Sequence, residues 1–227
     1  MRFRHLLFDA DDTLFDFPKS SAQAFSVMCR SNDIPETPET YQLYDEINAV
    51  LWTEFEQGKI SKEFVTHERY VRFLYHLNLD RDPHKCNRDY LTALGEATFP
   101  LPHAEEVCQT LSDRGHLLYI VTNAVASVQK RRLQQCTFSH LFKNVFISEE
   151  AGAAKPSKAY FDYVRARIPG LTPENTLVIG DSLTTDIRGA NNAGIPCCWL
   201  NPQKKSAPSD LTINYEIQTL PELLDFV

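Results

Sequence analysis

The chain has 227 residues, of which 43% are hydrophobic and 23% charged. That suits a soluble globular protein with one large domain or two modest ones. Asp and Glu outnumber Lys and Arg by 30 to 23, a formal charge of −7, so no general attraction to nucleic acid polymers or anionic membranes is expected. Phosphate would have to be held by a local arrangement of groups, which favours a small anionic ligand.

Short apolar, β-prone runs occur in chain order at Arg4–Phe8, His116–Val121, Asn144–Ile147, Thr176–Ile179 and Ile195–Leu200, with a weaker run at Thr212–Tyr215. Helical spacing lies between most of them. Ala104–Arg114 puts Val107, Cys108 and Leu111 on one face, Ser157–Ile168 groups Tyr160, Phe161 and Val164, and Thr185–Ala193 runs from a capping Thr to Gly194. Strands alternating with helices predict a doubly wound α/β domain with a mostly parallel sheet. Residues 19–94 break the alternation. They carry helical patterns at Ser20–Ser31, Pro38–Gln57, Ser61–Asn78 and about Pro83–Gly95, separated by Pro35, Gly58 and the turn at Asp80–Pro83. The expected organisation is a core of residues 1–17 and 98–227 with a helical cap of residues 18–97 inserted. Phe99-Pro100-Leu101-Pro102 then forms the return linker.

Six cysteines show no C-x-x-C pair, and the histidines have no ligand spacing, so reduced thiols and no zinc site are expected. The apolar start is interrupted by Asp9, and no run approaches the ~20 apolar residues that span a bilayer. A cytoplasmic protein, monomeric or homodimeric, is the expectation.

Polar residues cluster where strands end. Asp9-Ala10-Asp11-Asp12-Thr13 follows the first strand, Thr122-Asn123 the second, and Gly180-Asp181-Ser182 with Asp186 the fourth, while Lys155-Pro156 precedes a helix. In open α/β sheets ligands bind beyond the carboxyl ends of the strands, so these loops are expected to meet at one rim. Gathered carboxylates repel one another unless a cation joins them. An oxygen-only ligand set suits Mg²⁺. Phosphoryl transfer chiefly needs positioning and charge neutralisation, which Mg²⁺, Lys155, Thr122 and Asn123 can supply. Asp9 is then the candidate nucleophile, Asp11 the general acid/base, Asp181 a metal ligand, and Asp186 an orienting partner of metal-bound water or of Lys155. Each piece alone has a blander reading. An acidic turn, a Thr-Asn turn and Asp residues capping a helix are all common, and Trp52 and Phe55, able to stack on a nucleobase, more often pack in a core.

At these residues the chain resembles the haloacid dehalogenase superfamily of phosphohydrolases. The four motifs stand in that family's order across most of the chain, and the helical insertion is similar to its type 1 cap. The resemblance implies a Rossmann-like core and a Mg²⁺ site. It implies that Asp9 is nucleophile and metal ligand, Asp11 acid/base and metal ligand through its carbonyl, and Asp181 a metal ligand, with Thr13 supporting. Thr122, Asn123 and Lys155 would hold the phosphate. Dehalogenating members lack the second aspartate, so Asp11 points to a phosphatase over a 2-haloacid dehalogenase. Phe8–Phe15, Leu51-Trp52, Gln57–Ile60, Ile147–Glu150, Ala154–Pro156, Gly189–Gly194 and Cys198–Asn201 are similar to the YjjG-like pyrimidine 5′-nucleotidases. That likeness implies a nucleoside monophosphate as substrate. Sugar phosphates or other small phosphorylated metabolites are the alternative, and a phosphate-binding regulatory protein without turnover is the reading from another class. One departure stands out: the second motif commonly continues with Gly, and here it continues with Ala124, an uncomfortable residue if φ is positive there.

Overall fold

The structure is a computed structural model that describes residues 2–227. Six parallel strands form one sheet in the order β3-β2-β1-β4-β5-β6: β1 is His5–Phe8, β2 Leu117–Thr122, β3 Phe142–Ile147, β4 Thr176–Gly180, β5 Cys197–Leu200 and β6 Tyr215–Ile217. Alternate residues of each strand feed opposite faces, as a pleated strand requires. Leu6, Phe8, Leu118, Ile120, Leu177, Ile179 and Cys198 join one apolar layer, and Leu7, Tyr119, Val121, Val178 and Trp199 join the other. Both faces are covered, by α5 (Ala104–Asp113) on the first side and by α8 (Lys158–Arg165) and α9 (Arg188–Ala193) on the second. The doubly wound, Rossmann-like sheet expected from the alternating pattern is present.

Four helices lie between β1 and α5: α1 (Phe17–Ser31), α2 (Pro38–Glu56), α3 (Lys62–His76) and α4 (Pro83–Glu96). Each starts at a residue whose side chain accepts a hydrogen bond from a first-turn amide: Asp16, Thr37, Ser61 and Asp82. They enclose their own apolar cluster around Phe25, Met28, Tyr44, Phe73 and Tyr90. The two chain segments that join this unit to the sheet run side by side. Asp16 N donates to Phe99 O (2.8 Å) and Leu101 N to Leu14 O (2.9 Å), so the Pro-rich return linker is paired backbone.

Two boundaries differ from expectation for a visible local reason. The last strand begins at Tyr215 because Thr212 and Asn214 are engaged elsewhere: Thr212 N donates to Asn191 Oδ1 (2.7 Å) and Asn214 Oδ1 accepts from Cys197 N (2.9 Å). The helical winding expected from Thr185 starts earlier, as a π-helical turn at Leu183–Ile187, because Ser182 Oγ accepts from Thr185 N and is the actual cap. A helix at Ala126–Gln135 (α6) and a short one at Ser148–Ala151 (α7) complete the set. The strand pattern gave no notice of α6, whose exposed face is strongly polar and whose buried face holds only Val128, Gln129 and Arg132. All six cysteines are free and buried. No helix among the described residues is long and apolar enough to cross a membrane.

Candidate active site

The strand order reverses at β1, which has β2 on one side and β4 on the other. A crevice opens where connections leave a sheet in opposite directions, and the ends of these three strands carry the polar loops. Asp9 directly follows β1. It is 8% exposed, and its Oδ1 accepts from Lys155 Nζ at 2.5 Å. Lys155 Nζ also donates to Asp186 Oδ1 (2.7 Å) and Val121 O (3.0 Å), so its three protons are all engaged. Carboxylate oxygens of Asp9, Asp181 and Asp186 lie within 4.8 Å of one another. Thr13 Oγ1 reaches Asp181 Oδ1 at 3.5 Å, and Asp186 Oδ2 accepts from Ser182 N at 3.2 Å.

The electrostatics follow from that crowding. Burial first, then Asp186 and Asp181, raise the Asp9 carboxyl well above the usual range, with Lys155 pulling it back. Burial and the neighbours Asp186 and Asp12 push Asp181 up to about 8. For Lys155 burial favours the neutral amine, but Asp186 and Asp9 outweigh it and hold the ammonium above its ordinary range. One cation among three closely set carboxylates, two of them buried, leaves a local excess of negative charge, which is the condition a hard divalent ion relieves. The oxygen donors here fit Mg²⁺.

The remaining expected residues converge on the same rim. Thr122 closes β2, and its Oγ1 accepts from Ala124 N (3.0 Å). Asn123 brackets Lys155 by donating from Nδ2 to Lys155 O and accepting at Oδ1 from Lys155 N, each at 2.9 Å. Its amide therefore fixes the lysine's backbone, a use its position in the sequence did not suggest. Ala124 has no positive φ, so glycine is not required there. Asp12 does adopt φ 58°, and its Oδ1 accepts from Phe17 N (3.1 Å) at the entry to α1. Gly180 is needed for contact. A Cβ there would lie 2.3 Å from the Asp186 carboxyl.

A cavity of about 290 Å³ lies over this cluster. Asp9, Asp11, Thr122, Asn123, Lys155 and Asp181 form its floor, and Phe17, Trp52, Glu56, Arg69, Leu91 and Leu94 of the four-helix unit face them. A larger groove of about 590 Å³ shares Asp181 but holds neither Asp9 nor Lys155, so the smaller cavity is the candidate site.

Residues 3–194 match the family of haloacid dehalogenase-like hydrolases. The chain belongs to that family. This hydrolase is 38% identical to HAD-hydrolase YfnB of Bacillus subtilis, over 98% of its own length and 94% of the relative's. It is 32% identical to pyrimidine 5′-nucleotidase PynA of Streptococcus pneumoniae, covering 99% and 95% of the two chains. It is also 32% identical to pyrimidine 5′-nucleotidase YjjG of Escherichia coli, covering 98% and 97%. A crystal structure of YfnB, described as bound to magnesium and as revealing interdomain movement, superposes with a TM-score of 0.93 over 99% of this chain and 98% of that one. L-2-haloacid dehalogenase of Xanthobacter autotrophicus, at 17% identity and TM-score 0.76, shares the fold.

Three charged residues of the hydrolase's site went unread in the sequence. Arg132 of α6, fully buried, is ion-paired through Nη1 to Asp11 Oδ1, and its guanidinium lies 4.8 Å over the Phe15 ring. Glu56, at the end of α2, accepts from Thr184 Oγ1 (2.8 Å), linking the helical unit to the loop after β4. Lys62, at the start of α3, reaches across to the loop after β2. None of the three left a signal, because a charged side chain in a helical pattern reads as part of a solvated face. Trp52 stands at the cavity wall with Phe55 edge-on to it at 5.4 Å.

Proposed function

We propose that this hydrolase is a Mg²⁺-dependent phosphomonoesterase that works through an aspartyl-phosphate on Asp9, with nucleoside 5′-monophosphates, especially pyrimidine ones, as substrates. The observation that carries this reading is the buried Asp9 carboxylate held at 2.5 Å by Lys155 beside the buried Asp186 and the half-buried Asp181. Lys155 engages one oxygen of Asp9 and leaves the other to attack phosphorus. The Asp9 O–P bond forms as the bond from phosphorus to the leaving oxygen breaks, and Asp11 gives that alkoxide its proton. Asp11 then takes a proton from the water that attacks the aspartyl-phosphate, releasing phosphate and restoring Asp9. The Asp9 and Asp181 carboxylates and the Asp11 carbonyl would hold Mg²⁺, which supplies charge neutralisation to the transferring phosphoryl group. Arg132 aligns the Asp11 carboxylate, and Asp186 keeps Lys155 in place. Thr122 and the loop amides after β2 complete the phosphate cradle.

The helical unit, residues 18–97, serves as the cap over a core of residues 1–17 and 98–227. Beside Glu56 and Arg69 it contributes apolar and aromatic surface to the cavity, with Trp52, Leu91 and Leu94 placed for a flat leaving group, and closure excludes water from the labile intermediate. The two pyrimidine 5′-nucleotidases among the relatives support a nucleotide substrate. A glyceraldehyde 3-phosphate phosphatase of Methanopyrus kandleri, 31% identical over 98% of this chain, supports a second reading as a sugar-phosphate phosphatase.

Purified protein incubated with p-nitrophenyl phosphate tests the chemistry. Release of nitrophenol is expected with Mg²⁺, is abolished by EDTA, and disappears in Asp9→Asn. Persistent turnover in that variant removes Asp9 as nucleophile, and no turnover in the wild type leaves a phosphate-binding protein. A panel of phosphorylated metabolites then separates nucleotides from sugar phosphates.

A further inference from the structure

Lys62 is an unusual residue to bury at a junction between two packed units. It sits at the first position of α3, is 7% exposed, and spends its whole ammonium group on the other unit. Its Nζ donates to Ala124 O (3.1 Å) and Ser148 Oγ (2.9 Å) and pairs with Glu149 Oε1 (3.2 Å). Three donors meet three acceptors, so the group is fully satisfied only while the helical unit lies against the sheet. Phe55 covers it from the same unit, its ring centroid 5.6 Å away. Burial pulls the ammonium below its usual range and Glu149 restores part of the difference.

The acceptors are not neutral ground. Ala124 follows Thr122-Asn123, and its N–H is already held by Thr122 Oγ1 (3.0 Å). Lys62 grips the carbonyl of the same residue, so this stretch of the loop is fixed by its own strand on one side and by α3 on the other. Glu149 Oε1 also accepts from Ala126 N (3.3 Å) at the start of α6, the helix that delivers Arg132 to Asp11. One lysine of the helical unit thus touches both routes by which the β2 side of the cavity is shaped.

We propose that Lys62 is a positioning residue that latches the helical unit closed and sets the loop after β2 in its phosphate-binding shape. Opening exchanges the three contacts for water at the ammonium, the carbonyl and the carboxylate. The net stabilisation from such contacts is small, so the latch biases closure without locking it. The kinetic consequence rests on the phosphatase reading; the bias on closure does not. If only the closed form binds substrate well, the apparent KM rises in inverse proportion to the closed fraction.

The test uses Lys62→Met, which keeps the apolar stem, and Glu149→Gln, which weakens the latch from the opposite side. All native cysteines are buried, so dyes on Tyr75→Cys of α3 and Lys143→Cys of β3, both exposed, report the separation of the units by energy transfer. Without ligand, both latch variants are expected to lower the closed population at least twofold at unchanged helicity. With p-nitrophenyl phosphate and with a nucleoside monophosphate, KM rises severalfold while kcat changes less. An unchanged closed population in both variants overturns the proposal. So does a fall in kcat at constant KM, the mark of a lost active fraction. If the wild type shows no turnover, the phosphatase reading fails, while the energy-transfer measurement still decides the latch.

Discussion

Titrating Mg²⁺ into the protein at several pH values acts directly on the crowded carboxylates of the rim. Burial, Asp186 and Asp12 hold the Asp181 carboxyl up at about 8, and Asp9 is displaced in the same direction. An acid whose folded pKa exceeds its unfolded value carries more protons in the folded state between the two, here from about 4 in the unfolded chain up to about 8. Metal-free protein therefore loses stability as pH rises through that window. Mg²⁺ needs the ionised ligand, so displacement of one proton weakens its apparent affinity about tenfold for each pH unit below 8. A concentration of about 100 times the pH 8 Kd stabilises by about 2.7 kcal/mol. For a chain of this size that is a rise in Tm of roughly 5–11 °C, at about 2–4 °C per kcal/mol. At pH 5 the same concentration lies about tenfold below the apparent Kd, and the rise all but vanishes. Thermal melts followed by fluorescence at pH 5, 6, 7 and 8, each with MgCl₂ or EDTA, measure this. Equal Mg²⁺ shifts at pH 5 and pH 8 would refute the argument that buried, mutually repelling carboxylates form the metal site.

Other outcomes follow from single contacts. Gly180→Ala drives a Cβ to 2.3 Å from the Asp186 carboxyl, and overpacking of that kind costs about 1–3 kcal/mol; urea unfolding should show the loss, together with weaker turnover as Lys155 shifts. Tyr160→Phe removes the hydroxyl that donates to Phe146 O (2.6 Å) and accepts from Thr122 N (3.0 Å). Leaving that amide buried without a partner costs about 1–3 kcal/mol, seen as a lower urea midpoint at unchanged slope. Trp52→Ala is expected to raise KM for pyrimidine nucleoside monophosphates fivefold or more, as loss of a stack worth ~1–3 kcal/mol implies. It should barely alter KM for a small aliphatic phosphate ester, and equal effects on the two would remove Trp52 as a base platform.

Much of the molecule was written in periodicity. Each strand of the sheet was visible as a short β-prone run because both faces of a parallel sheet are buried, leaving near-continuous apolar segments such as Leu177–Ile179. The helices of the inserted unit announced themselves through their spacing and the breaks at Pro35, Gly58 and Asp80–Pro83, although the first starts at Phe17, capped by Asp16, and not at Ser20. Helix α6 stayed hidden because it buries polar side chains, Gln129 and Arg132, where the pattern looks for apolar ones.

The sequence by itself determined which loops bring polar residues to the rim, since Asp9, Asp11, Thr122, Asn123, Lys155, Asp181 and Asp186 each fall at an element boundary that local signals mark. It determined the family as well, through the order of those motifs. Only the tertiary structure decided which atoms meet: that Asn123 spends its amide on the Lys155 backbone, that Arg132 pairs with Asp11 across 121 residues, and that Lys62 crosses from one unit to the other. Periodicity reports which face of an element is buried. It says nothing about which distant polar group that face will meet, because that depends on how strands and helices far apart in the chain pack together.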